Sequence, residues 1–209
     1  MSDLLDEVLA RGIVPVVVVR DAARAAGLAD ALVAGNLPVA EVTLRTAAAP
    51  EAIATMAKNP DLLVGAGTVL TPDQVDLAVD AGARFLVSPG LSPATVARAN
   101  ERGVPIVPGT VTPSDVMAAL ASGLTTLKFF PASNYGGAGT LKAFASVFSA
   151  ARFVPTGGVS AGNLGDYLSL PNVPAVGGSW MVPADVVDAG DFATIEQLSA
   201  EAVAAASVV

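Results

Sequence analysis

A lysine stands inside an apolar run, Thr126-Leu127-Lys128-Phe129-Phe130-Pro131-Ala132. Taking an ammonium out of water is costly, so Lys128 either snorkels to solvent or is used. Alternate side chains of an extended strand share a face, which sets Thr126, Lys128 and Phe130 against Leu127 and Phe129. If the second set meets covering helices, Lys128 enters the interior. The other lysines, Lys58 and Lys142, lie on helix-like polar segments where a solvated role suffices. An amine held in an apolar interior is suited to attack a carbonyl carbon and form a Schiff base.

A second polar face comes from Val39-Ala40-Glu41-Val42-Thr43-Leu44-Arg45-Thr46, where Glu41, Thr43 and Arg45 project together. A carboxylate and a guanidinium turned inward must be paired or functional, and the bland alternative is an ion pair that only specifies packing. A third element is glycine-rich: Thr156-Gly157-Gly158-Val159-Ser160 and Gly177-Gly178-Ser179-Trp180. Glycines let backbone N–H groups approach an oxyanion closely, although turns also recruit them for positive φ. The pieces fit one reaction type: a lysine captures a keto group, a carboxylate moves protons, an arginine holds an acid group, and a glycine cradle holds a phosphate. That is the inventory of a class I aldolase.

Elements able to position these groups recur along the chain. Short apolar runs centred on Val16, Glu41, Val64, Leu86, Val107, Lys128, Val154 and Val176 alternate with helix-like segments, the rhythm of repeated βα units. Eight such units within 209 residues predict a single-domain (β/α)8 TIM barrel over residues 1–209, preceded by a helix near Asp3 to Ala10. An open doubly wound sheet is the alternative. Thr71-Pro72, Ser92-Pro93 and Thr112-Pro113 each read as an N-cap followed by an N1 proline, which starts helices soon after strands three, four and five. The Ala-rich tail from Ile195 to Val209 reads as a last outer helix. The glycine pairs follow strands seven and eight, the usual phosphate site of barrel enzymes.

Composition narrows the chemistry further. Nineteen acids against eleven bases give a net charge of −8, with no basic run, which argues against nucleic acid as a partner. The chain has no cysteine and no histidine, which removes thiolate catalysis, imidazole bases and nearly every zinc site, so neither a metal nor a cofactor is expected. No apolar stretch reaches the roughly 18 residues needed to span a bilayer. The segment MSDLLDEVLARG carries acids rather than a basic region before an apolar core, so a cytoplasmic protein is expected. Hydrophobic residues make up 53% and charged ones 14%, with a mean hydropathy of +0.61, which suggests surface buried between subunits.

These motifs closely resemble the 2-keto-3-deoxy-6-phosphogluconate (KDPG) and 4-hydroxy-2-oxoglutarate aldolase family. The likeness runs through EVTLRT at Glu41 to Thr46, VGAGTVL at Val64 to Leu70, VSPG at Val87 to Gly90, PGTVTP at Pro108 to Pro113, KFFPA at Lys128 to Ala132, PTGGVS at Pro155 to Ser160 and GGSWMVP at Gly177 to Pro183. The resemblance implies a homotrimeric (β/α)8 enzyme that reversibly splits KDPG into pyruvate and glyceraldehyde 3-phosphate, and cleaves 4-hydroxy-2-oxoglutarate to pyruvate and glyoxylate, without a metal. It implies Lys128 as the Schiff-base lysine and Glu41 as the general acid/base. Arg45 and Thr68 would grip the substrate carboxylate, and Thr156, Gly157, Gly158 and Ser179 would hold the phosphate. Pro89 and Phe130 would wall the pyruvyl pocket. The sequence departs from the family at Gly35-Asn36, where two glycines are common, and at Ser133-Asn134-Tyr135, a variable loop. The rival readings are a metal-dependent phosphosugar isomerase or epimerase on the same barrel, and a non-catalytic assembly scaffold.

Overall fold

The computed structural model describes residues 2–208. Its strands are β1 (Ile13–Val17), β2 (Val39–Thr43), β3 (Leu63–Gly67), β4 (Leu86–Val87), β5 (Ile106–Val107), β6 (Gly109–Thr110), β7 (Thr126–Phe129), β8 (Arg152–Pro155) and β9 (Val176–Gly178). All pairings are parallel, and β1, β2 and β3 are buried at every position, as continuous apolar strands covered on both faces should be. Six strands form one curled sheet in the order β5-β4-β3-β2-β1-β9, and three form a second, β6-β7-β8. An isolated bridge, Thr156 to Gly177, links the end of β8 to β9. The order runs from β1 to β5 without the reversal of a doubly wound sheet, so that alternative is set aside.

The run expected as one strand around Val107 is two. Pro108 has no N–H to donate and interrupts the ladder, so β5 pairs with β4 while β6 pairs with β7. The proline carbonyl still accepts from the Lys128 N–H at 2.8 Å. The second strand is also shorter than expected. It ends at Thr43, after which the Leu44 N–H donates to the Gly67 carbonyl and the Arg45 N–H turns back to that of Thr43. Arg45 therefore sits in a turn beyond the strand rather than on its inner face.

Helices α2 (Ala25–Ala34), α3 (Ala49–Met56), α8 (Leu164–Leu168) and α9 (Ala184–Ala189) belong to the outer layer, and the helix starts predicted from the sequence follow the cap signals. Thr71, Ser92 and Thr112 cap α4 (Pro72–Asp80), α5 (Pro93–Glu101) and α6 (Pro113–Ala121), each with proline in the first turn. Asp115 completes a capping box with Thr112. Helix α1 (Ser2–Leu9) crosses the N-terminal ends of the strands, where Asp6 meets Arg152 at the start of β8, 2.6 Å away. Helix α10 (Phe192–Ala206) is the expected outer helix, while Val209 lies outside the described residues. Asn36 adopts φ 58°, a left-handed turn that asparagine tolerates, so the first departure from the family pattern is confined to a turn.

Parity along β7 falls as the alternation requires. Leu127 and Phe129 are fully buried, and Phe129 packs edge-on against Phe144 of α7 (Gly137–Ala145), with ring centroids 6.2 Å apart. Lys128 therefore points to the opposite side, into the concave face of the sheets.

Candidate active site

Lys128 is only 5% exposed and Glu41 3% exposed, and Lys128 Nζ donates to Glu41 Oε1 at 3.1 Å. The two residues lie 87 positions apart in sequence, on separate sheets. The pair is placed by register: Glu41 stands opposite Val16 and Gly65, and Lys128 opposite Gly109 and Val154. Phe130, next along the same parity, lies with its ring centroid 5.3 Å from Nζ, within cation–π range. Pro89 is half-buried, and its carbonyl abuts Gly109, the register partner of Lys128. Phe130 is thus next to the amine, and Pro89 stands one strand away, against Gly109.

Below the pair is a cavity of about 20 Å³, lined by Glu41, Lys128 and Thr156 with Val14, Phe85, Val87, Val107 and Val154. Val8 and Leu9 of α1 close it from the N-terminal side. The sequence predicts α1 as a helix but gives it no part in the site, and it does not single out Phe85. Phe85 carried a signal, since it shares strand parity with the inward Val87. Nothing in the sequence assigned Val8 and Leu9 to the interior, because that depends on how α1 docks.

Arg45 and Thr68 come together at the C-terminal end of the strands, where Arg45 Nε donates to Thr68 Oγ1 at 3.1 Å. Thr68 holds φ 59°, a strained conformation for a β-branched residue, at a cost of about 1–3 kcal/mol. Arg45 remains exposed, so its guanidinium is free to meet an anion at the mouth.

The glycine loops also gather at this end. Gly157 and Gly158 adopt φ of 94° and 79°, the left-handed region that favours glycine, and Ser179 is exposed directly after β9. Thr156 parts from these three: it is buried, and its side chain lines the cavity with Lys128 and Glu41. The variable loop runs alongside, with the Ser133 N–H donating to the Gly157 carbonyl at 3.1 Å. Among the described residues, no group of three or more His, Cys, Asp and Glu side chains is gathered as a metal site would require, and no helix is long and apolar enough to cross a membrane.

Chemically, a buried amine hydrogen-bonded to a buried carboxylate can exchange a proton across one bond, leaving a nucleophilic amine beside a carboxylic acid. Beyond them lie a guanidinium and a glycine cradle at the open end.

The family described as Aldolase: KDPG and KHG aldolase matches residues 5–198. The KHG/KDPG aldolase of Escherichia coli (strain K12) is 48% identical over 197 residues, covering 94% of this chain and 92% of that one. The crystal structure of the 2-keto-3-deoxy-6-phosphogluconate aldolase of Zymomonas mobilis ZM4 with 3-phosphoglycerate superposes with a TM-score of 0.91 at 46% identity, covering 96% and 95% of the two chains. That of KDPG aldolase from Legionella pneumophila, with pyruvate captured at low pH as a covalent carbinolamine intermediate, superposes with a TM-score of 0.89 at 42% identity over 92% and 95%.

Proposed function

Since the chain belongs to the KDPG and KHG aldolase family, we propose that it is a class I aldolase that reversibly cleaves KDPG to pyruvate and glyceraldehyde 3-phosphate. Cleavage of 4-hydroxy-2-oxoglutarate to pyruvate and glyoxylate is the second expected reaction. The observation that carries this reading is the buried Lys128–Glu41 pair, 3.1 Å apart.

Lys128 attacks the C2 carbonyl, and the carbinolamine loses water to give an iminium. Glu41 accepts the proton of the C4 hydroxyl as the C3–C4 bond breaks. Its electrons pass into the iminium, leaving an enamine and releasing the aldehyde. Glu41 then returns the proton to C3, and water hydrolyses the imine to pyruvate and the free amine. Arg45 and Thr68 hold the substrate carboxylate, Pro89 and Phe130 flank the pyruvyl group, and Gly157, Gly158 and Ser179 hold the distal phosphate. Thr156 belongs with the phosphate set by its motif, although its buried side chain favours a contact nearer the reacting carbons.

The two sheets are read here as one (β/α)8 barrel over a single domain spanning residues 1–209. The Thr156–Gly177 bridge supports closure on one side, and the Pro108 carbonyl, bonded to Lys128 N–H, supports continuity on the other. A cytoplasmic homotrimer acting on a phosphorylated 2-keto acid, with neither nucleic acid nor membrane as partner, completes the reading.

The test is borohydride reduction in the presence of pyruvate, followed by peptide mass mapping of the wild type and of Lys128→Arg. A reduced pyruvyl adduct on the Lys128 peptide, absent from the variant, is expected. A folded wild type that gains no adduct in excess pyruvate would overturn the Schiff-base mechanism and favour the isomerase or scaffold readings.

A further inference from the structure

Strand β3 gives up its side chains where the interior is most crowded. Its outward residues, Val64 and Ala66, are buried against the helix layer, whereas its inward positions beside Glu41 are Gly65 and Gly67. Neither glycine has a positive φ. Any residue could adopt their backbone, so conformational freedom does not explain them.

Space does. A Cβ on Gly65 would lie 2.5 Å from the Phe85 ring. A Cβ on Gly67 would lie 2.2 Å from Glu41 Oε1, 2.6 Å from its Cγ and 2.8 Å from its Cδ. The oxygen that occupies the vacant position is the same Oε1 that accepts from Lys128 Nζ. Glu41 is 3% exposed, so its carboxylate is held among packed neighbours rather than in solvent.

We propose that Gly67 is a positioning residue: its missing side chain is the slot that holds the Glu41 carboxylate against Lys128. Gly67 touches no substrate and acts through Glu41 alone. The proposal rests on the reading of Glu41 as the proton carrier. A methyl group at position 67 displaces the carboxylate, so proton transfer fails while substrate binding at the open end persists.

The test is a double-mutant cycle of wild type, Gly67→Ala, Glu41→Ala and the double variant, reading kcat and KM for KDPG together with melting temperature. In the Glu41 background, Gly67→Ala lowers kcat by about 10²-fold with KM changed less than about threefold. It also lowers the melting temperature, as overpacking does. In the Glu41→Ala background the added methyl meets empty space, so Gly67→Ala changes neither quantity. Should Gly67→Ala fail to fold, recovery of a folded protein in the double variant carries the same meaning. Equal losses in both backgrounds, failure of both variants to fold, or wild-type kcat in Gly67→Ala would overturn the proposal. Failure of the underlying reading is visible separately, since Glu41→Gln would then turn over at the wild-type rate.

Discussion

Lys128 Nζ donates to Glu41 Oε1 at 3.1 Å, an ion pair closed off from solvent. A buried ion pair is a poor stabiliser, because desolvating two charges offsets most of their attraction. Its retention at 5% and 3% exposure therefore supports use in chemistry. The distal end is less constrained, since Ser179 is exposed and the cradle is mostly backbone. This allows a selective test. Ser179→Asp places a carboxylate where the phosphate would sit, and should raise KM for KDPG by about tenfold or more while leaving KM for unphosphorylated 4-hydroxy-2-oxoglutarate within about twofold. Steady-state kinetics on both substrates measures this, and equal increases would remove Ser179 from the phosphate site.

At the scale of the element, helix starts were legible and strand ends were not. A cap is a local interaction: Thr112 accepts from the Asp115 N–H, and Asp115 accepts from the Thr112 and Val111 N–H groups at 2.8 and 3.1 Å. Five adjacent residues suffice to specify it. Where β2 stops depends on which carbonyl of β3 is still in reach, and the break at Pro108 depends on a different partner strand on either side. The cap has a measurable consequence. Burial pushes the Asp115 carboxyl up, but the N–H groups of Thr112 and Val111 outweigh it and hold the pKa below the ordinary value. A carboxylate depressed on folding contributes stability above its unfolded pKa of about 3.9, which is lost as pH falls through the folded value. Asp115→Ala should therefore melt below wild type at pH 7, and the gap should close below about pH 4. Thr112→Ala should cost about 1 kcal/mol, or roughly 2–4 °C in melting temperature, with less dependence on pH. Calorimetry across that range decides both.

For the whole molecule, the pattern of strands and helices predicts an α/β protein with parallel strands, and the curled sheet agrees. The pairing of β9 with β1 joins residues more than 160 positions apart, a contact that only the folded chain makes. Some large apolar side chains stay at the surface at the same scale. Leu70, Leu77 and Met117 are 53%, 46% and 63% exposed, in line with the mean hydropathy of +0.61. Light scattering should give a mass three times the 20.7 kDa of one chain. A monomer mass at micromolar concentration would refute the trimer.

Residue identity and parity are local properties, so the sequence by itself determined that Lys128 shares a face with Thr126 and opposes Leu127 and Phe129, while the packing of Phe129 on α7 decided which face is inside. The sequence likewise marked Glu41, the cap residues and the glycine loops, and it carried the family. Distance across the interior is not local. That Lys128 meets Glu41 at 3.1 Å, that Thr156 turns into their cavity, that Arg45 leaves the strand for a turn, and that α1 closes the floor were decided by sheet register and helix docking. Register is set by the summed burial of every strand at once, which no single stretch of sequence contains.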